Sequence, residues 1–158
     1  LAIAGVSCEE EAAVLAKTDA KNMLLSNSRG FCELRSSMGK KVYYYLFDHD
    51  IPGDDAGSFH GSDLWFMFDS LGNSWRPFEG KHYDLARQVT SYWVNFVKTG
   101  DPNGLDYHGN PLPVWKAYQK DGKAVMKFKD RPVPETLEEC PVLDFRLAFG
   151  KERFTDKA

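Results

Sequence analysis

His60 is the residue of this chain whose setting best suits proton transfer. It lies in the segment Gly57-Ser58-Phe59-His60-Gly61-Ser62-Asp63-Leu64. The glycines on either side allow the backbone to bend sharply and to approach other groups closely. A histidine titrates near neutral pH, so it can take up a proton as a general base and return it as a general acid. The same pattern also fits a loop histidine that caps the next helix or bonds Asp63, and the pattern alone leaves both open.

A run of acidic residues precedes this segment and raises the question of a metal. The residues are Asp48, His49 and Asp50, followed by Asp54 and Asp55. Hard cations favour oxygen ligands at close spacing, but the spacing here does not match a calcium loop. The intervening proline and glycine are ordinary turn residues. We therefore interpret the run as a solvated acidic loop, and we expect no metal and no cofactor.

The remaining histidines and the cysteines have no setting that activates them. His82 and His108 stand among polar residues, which predicts surface positions. Cys8, Cys32 and Cys140 are odd in number and widely spaced, which favours buried thiols over a disulfide framework. A reducing compartment, and hence a cytoplasmic location, is expected. A hydrolase that pairs Cys8 or Cys32 with His60 is a weaker alternative because neither thiol has a visible activating neighbour.

Charge and hydropathy exclude two classes of partner. The net charge is -3 and the basic residues are spread along the 158-residue chain, whereas nucleic-acid binders concentrate positive charge on one face. The longest apolar run, Val42–Phe47, is far shorter than the ~18 residues of a transmembrane helix. We expect neither nucleic acid nor membrane as a partner.

The elements around His60 follow from hydrophobic periodicity. Val42–Phe47 is continuous, apolar and aromatic, which is typical of a strand buried on both faces in a parallel sheet. It is the only strong strand, and a stable sheet needs several. The partner strands are therefore expected on another chain or in a larger domain. The other predicted elements are helices at 8–25, 28–37 (Phe31 and Leu34 inward), 62–68 and 84–98, a short strand at 125–128, and a weak helix at 136–149.

Three linked segments, in the right order, resemble the type-B carboxylesterases and cholinesterases, with the bacterial para-nitrobenzyl-esterase type nearest. The resemblance covers about residues 12–130 and is specific because the segments occur together. The segments are Val42–Phe47 with Gly57–Leu64 and Phe66–Phe68, then Tyr92–Asn103 with its Thr-Gly-Asp-Pro-Asn ending, then Pro113–Tyr118, which lacks the family's proline after the tryptophan.

The resemblance implies an α/β fold: the C-terminal part of an α/β-hydrolase fold, with one or two late strands, flanking helices and an incomplete sheet. Residues 1–158 would then be a C-terminal fragment of a single domain. His60 matches the family's catalytic histidine, and Asp63 matches an acidic position that we interpret as support for the loop. Phe66 and Phe68, which follow His60, are tentative substrate-pocket residues; packing of the core is the alternative for them and for their aromatic neighbours.

The rest of the family's machinery has no counterpart in this sequence. There is no G-x-S-x-G nucleophile motif and no glycine-rich oxyanion segment, and the triad acid belongs upstream of the histidine strand. The resemblance implies a serine esterase that acts on small-molecule esters, with the N-terminal portion of the same protein supplying serine and acid. The alternative is an inactive esterase-like fragment, or a packing or binding module, that pairs its open sheet edge in a homo-oligomer.

Overall fold

The computed structural model describes residues 9–138 together with Asp144, Leu147 and Ala148, and the side chains from residue 23 onward. The chain divides into two compact units. One contains the first helix and the other is Lys41–Leu137. The predictions for Cys8 and Cys140, and most of the predicted helix at 136–149, lie outside the described residues.

Helix α1, Glu9–Ser37, is continuous where the sequence predicted two helices. Ser26, near the expected break, donates from its hydroxyl to the Met23 carbonyl at 3.0 Å, so this polar side chain bonds within the helix instead of ending it.

The inward face of α1 also differs from the prediction. Phe31 and Leu34 were expected to point inward, yet they are 60% and 59% exposed. The buried side chains are Cys32 and the charged pair Arg29 and Glu33. Arg29 lies 3.4 Å from Glu33 and 2.9 Å from Asp144, so the charged groups on the buried face are paired. Burial raises the pKa of Cys32 to about 11, which makes this thiol a poor nucleophile.

A three-stranded sheet carries the second unit. Strand β1 is Tyr45–Phe47, β2 is Ala124–Phe128 and β3 is Pro132–Thr136, in the spatial order β1-β2-β3. β1 and β2 are parallel, the type of pairing predicted for β1, although its partners were expected on another chain or in a larger domain; β2 and β3 are antiparallel. β3 was not predicted because its two prolines argue against a strand; it lies at an edge of the described sheet, where proline is tolerated.

β1 is shorter than the predicted strand at 42–47. The carbonyl of Val42 accepts from the Tyr118 N–H at 2.8 Å, outside any strand ladder. The Tyr44 carbonyl accepts both the Met126 N–H at 3.0 Å and the indole N–H of Trp115 at 3.1 Å. The extended chain before β1 is therefore held partly by the segment that precedes β2.

Two helices follow β1. α2 is a single turn, Leu64–Met67, and a 3-10 turn at Leu71–Asn73 leads to α3, Gly80–Thr99. A 3.6-residue period predicts an apolar stripe of Leu85, Val89, Tyr92, Trp93 and Phe96 on this helix. The first three are buried and Trp93 is half-buried, but Phe96 is 48% exposed. Gly100 ends the helix at φ 75°, in the left-handed region that favours glycine.

The core of the second unit joins α2, α3 and the sheet. It is rich in aromatic rings in edge-to-face contact, such as Tyr45 with Trp93 at 5.1 Å and Tyr92 with Trp115 at 5.6 Å between centroids. Such pairs add stability beyond the area they bury. The buried residues of this core are Ile51, Phe66, Leu71, Leu85, Ala86, Val89, Tyr92, Leu112, Trp115, Met126 and Phe128.

Among the described residues, no helix is long and apolar enough to cross a membrane.

Candidate active site

His60 occupies the second position of a tight turn between β1 and α2. The turn is closed by the Ser62 N–H, which donates to the Phe59 carbonyl at 3.0 Å. Gly61, at its third position, has φ +86°, the value that a type II turn requires and that glycine adopts without strain. His60 is exposed. Among the described residues, no hydrogen bond or ion pair engages its imidazole, so both ring nitrogens are available to a reactant.

Both sides of this turn are tied to β1. The Ser58 hydroxyl donates to the carbonyl of Phe47, the last residue of β1, at 2.7 Å. The Tyr45 hydroxyl donates to Asp63 Oδ2 at 2.7 Å. Burial, and then the Asp63 acceptor, raise the pKa of Tyr45, so its hydroxyl stays protonated as a donor. The histidine therefore stands on a loop that a strand fixes before and after it.

Ser62, the last residue of the turn, is buried. Its hydroxyl has no hydrogen-bond partner among the described residues. Its backbone N–H closes the turn while its side chain points away from solvent. This arrangement leaves His60 as the exposed corner of an otherwise anchored segment.

Arg76 is a residue of this region that sequence reasoning missed. Its guanidinium makes two parallel hydrogen bonds to Asp54, at 2.8 Å each, and a third to the Pro52 carbonyl at 2.9 Å. It also lies over the rings of Phe59, at 5.3 Å, and Trp65, at 5.8 Å. An available signal was the run Ser74-Trp75-Arg76-Pro77-Phe78, an arginine set among aromatic residues.

The two tentative pocket residues are placed differently. Phe66 is fully buried and packs against Phe47 and Phe78, with ring centroids 5.0 Å and 5.8 Å away. It presents no surface to a ligand, so packing is the role its position supports. Phe68 is 70% exposed and remains a candidate for contact with a substrate.

The acidic loop splits into parts with different surroundings. Asp54 pairs with Arg76, which is the main reason that its pKa lies below the usual range. His49 was taken as part of a solvated loop but is buried, 5.2 Å from the ring of His82. His82, predicted at the surface, is buried too, because its Nδ1 accepts the Glu79 N–H at 2.7 Å in the first turn of α3. No cluster suited to a metal ion occurs among the described residues.

His108 is exposed, as predicted. It lies in a turn in which its N–H and that of Asn110 donate to Asp106 Oδ1 at 2.8 Å. This turn is separate from the His60 turn.

The chain matches the model of the carboxylesterase family over residues 12–142. It is 37% identical to carboxylesterase 4A of Bos taurus over 95 residues, which is 54% of this chain and 15% of that protein. It is 31% identical to human cocaine esterase over 123 residues, 73% of this chain and 20% of that protein. These relatives are several times longer than the part that the chain covers.

The fold has matches among solved structures as well. An esterase of Clostridium hathewayi, described as able to hydrolyse aliphatic aromatic polyesters, superposes with a TM-score of 0.55 at 28% identity. The match covers 73% of this chain and 22% of that enzyme. The chain is thus part of an α/β-hydrolase fold, and its described sheet is incomplete, as the sequence predicted.

Proposed function

Since the chain belongs to the carboxylesterase family, we propose that it supplies the catalytic histidine, His60, of a carboxylic ester hydrolase that works through an acyl-enzyme. The observation that supports this role is the His60 turn itself: an exposed imidazole without a bonding partner among the described residues, on a loop anchored to β1 on both sides. A general base needs this combination of fixed position and free nitrogens.

The reaction requires a nucleophilic serine and a triad acid, and no motif in this sequence supplies either of them. The serine oxygen bonds to the ester carbonyl carbon while His60 takes the hydroxyl proton. His60 then gives that proton to the departing alcohol as the C–O bond breaks. Water, activated by the same imidazole, releases the carboxylic acid and restores the serine. The acid orients the imidazole, and the N-terminal portion of the same protein is the proposed source of both groups.

The substrates we propose are small-molecule carboxylic esters. Phe68 is an aromatic side chain close after the turn, and at 70% exposure it offers surface to an acyl or alcohol group. Asp63 supports the loop through Tyr45 and takes no proton in this scheme. No cofactor enters the reaction. A cytoplasmic location, argued from the cysteines, stays a prediction.

A non-catalytic role is the second candidate. It is favoured by the absence of a G-x-S-x-G motif and by a described structure in which no serine or cysteine bonds to His60. In that case the chain would pack against or bind another polypeptide. Activity measurements separate the two candidates.

The first prediction is that His60→Ala abolishes ester hydrolysis by the complete natural protein. We expect kcat for a short-chain para-nitrophenyl ester to fall by about 10⁴-fold or more, as for other triad histidines. His108→Ala is the matched control because His108 is exposed and lies in a separate turn. Near-normal turnover by the His60→Ala protein would remove His60 from the mechanism.

The isolated chain is the second arm of this experiment. We expect no turnover from residues 1–158 alone, and recovery of turnover when the nucleophile-bearing portion is added. Recovery with the wild-type chain but not with His60→Ala supports the catalytic role. No turnover by the complete protein on any short-chain ester would favour the packing or binding role.

A further inference from the structure

We infer that Arg76 is a positioning residue that fixes the His60 turn in its reactive place. The inference rests on the proposed function and goes beyond it, because Arg76 touches no reacting atom. Its side chain is only 7% exposed, which is unusual for an arginine, because it is covered by side chains that are themselves partly exposed, such as Asp54 at 38% and Phe59 at 37%.

The first set of contacts holds the start of the loop. Arg76 binds Asp54 through two parallel hydrogen bonds and reaches the Pro52 carbonyl with a third. Asp54 Oδ1 also accepts the Ala56 N–H at 3.1 Å, so the same carboxylate shapes the backbone that leads into Gly57. Only a planar, forked cation can satisfy the carboxylate and the carbonyl together.

The second set of contacts holds the turn itself. The guanidinium lies over Phe59, Trp65 and Trp75, with distances of 5.3, 5.8 and 4.9 Å to the ring centroids. Phe59 and Trp65 are in edge-to-face contact at 5.9 Å. The arginine side chain is covered from water although Trp75 and Phe59 are 74% and 37% exposed, and the loss of water around a cation strengthens its contact with a ring.

Phe59 transmits this restraint to the histidine. It directly precedes His60, and its carbonyl accepts the Ser62 N–H that closes the turn. Arg76 therefore restrains the turn through contacts that are separate from the β1 anchors at Tyr45 and Phe47. A displacement of about 1 Å at a catalytic group can cost on the order of 10²-fold in rate.

The test uses three variants of the complete natural protein. Arg76→Lys keeps the charge but loses the forked hydrogen bonds. Arg76→Ala removes the group and leaves a space of guanidinium size. Asp54→Asn weakens the ion pair while leaving Arg76 over the rings, and it provides a milder change should the arginine variants fold poorly. Arg87→Ala is the matched control, since Arg87 forms a comparable pair with Asp84 at 2.6 Å on the exposed side of α3.

We expect both arginine variants to lose roughly 10- to 100-fold in kcat for a para-nitrophenyl ester, with KM little changed, because geometry and not substrate binding is altered. Added guanidinium at low millimolar concentration should restore part of the kcat of Arg76→Ala and none of any loss in Arg87→Ala. A purely structural role would lower the amount of folded enzyme without this selective rescue.

The outcomes separate this inference from the proposed function. Loss of activity in His60→Ala with full kcat in Arg76→Lys, Arg76→Ala and Asp54→Asn would overturn the role of Arg76 alone. A loss of kcat in Arg76→Ala that guanidinium leaves unchanged, in a protein with normal circular dichroism, would overturn it as well. Retained activity in His60→Ala would instead overturn the proposed function.

Discussion

At the scale of single residues, the site depends on side chains that restrain His60 from a distance. The hydrogen bond from the Tyr45 hydroxyl to Asp63 connects the core face of the sheet to the start of α2. Tyr45 also packs against Trp93 and Trp115, so its hydroxyl is held by a rigid aromatic group. This hydrogen bond is consistent with Asp63 supporting the loop. The sequence suggested that role but could not identify Tyr45 as the partner.

Replacing Tyr45 by phenylalanine tests this contact. Tyr45→Phe keeps the ring in the core but removes the donor, which should lower the free energy of unfolding by about 1.5–3 kcal/mol, as for a hydrogen bond to a charged group. It should also lower kcat, because the turn loses one of its two ties to β1. Urea unfolding and ester turnover measure the two effects. Tyr107→Phe, at an exposed tyrosine, is the control; equal behaviour of the two variants would show that Asp63 needs no donor.

At the scale of elements, two buried histidines join the loop after β1 to the beginning of α3. His49 and His82 are 3% exposed each and lie 5.2 Å apart between ring centroids. Burial is the main cause that lowers the pKa of both rings from the usual 6.5. At His49 the neighbouring His82 and Lys81 lower the pKa further, whereas Asp130 and Asp50 raise it.

This pair predicts loss of stability in mild acid. In the unfolded chain the histidines take up protons as the pH falls below about 6.5, whereas in the folded protein their lowered pKa values delay protonation. The unfolded state then binds more protons than the folded state. The free energy of unfolding therefore decreases as the pH is lowered through this window, and the histidines do not change it at higher pH. We expect Tm to decrease between about pH 7 and 5.

His49→Gln should flatten this decrease, whatever its effect on Tm at neutral pH. His108→Gln, at the exposed histidine, should leave the slope as it is. Equal slopes in wild type and His49→Gln would mean that protonation of His49 is not what destabilises the fold in acid.

At the scale of the whole molecule, the described sheet has an edge at β1 that is available for pairing with another strand. β1 pairs with β2 on one side, and no other described strand pairs with its second side. The chain spans 15–20% of the length of the curated relatives described above. An open edge of a parallel sheet offers unpaired backbone donors and acceptors, which favour pairing with further strands.

We therefore expect residues 1–158, when isolated, to associate either with copies of themselves or with the N-terminal portion of the protein. Sedimentation velocity over a dilution series should show species larger than a monomer, and the added N-terminal portion should replace them with a single complex. A monodisperse monomer at all concentrations would contradict this expectation.

The sequence by itself determined the features that local pattern controls. The stripe of α3 follows from a 3.6-residue period and its end from Gly100. His60 was singled out because it lies between two glycines, and its match to a catalytic histidine came from the three linked segments that resemble the family; that role stays a prediction. The parallel pairing of β1 was foreseen from its continuous apolar run.

Only the tertiary structure decided which side chains meet across long stretches of sequence. Phe66 is a core residue because Phe47 and Phe78 enclose it, and no local period distinguishes that from a pocket wall. The clamp of Arg76 on Asp54 joins residues 22 positions apart. The burial of His49 depends on the position of α3, and the Arg29 side chain of α1 pairs with Asp144, which lies 115 positions further along the chain. Each of these features depends on contacts between segments that are distant in the sequence, and a hydropathy pattern along the chain does not predict such contacts.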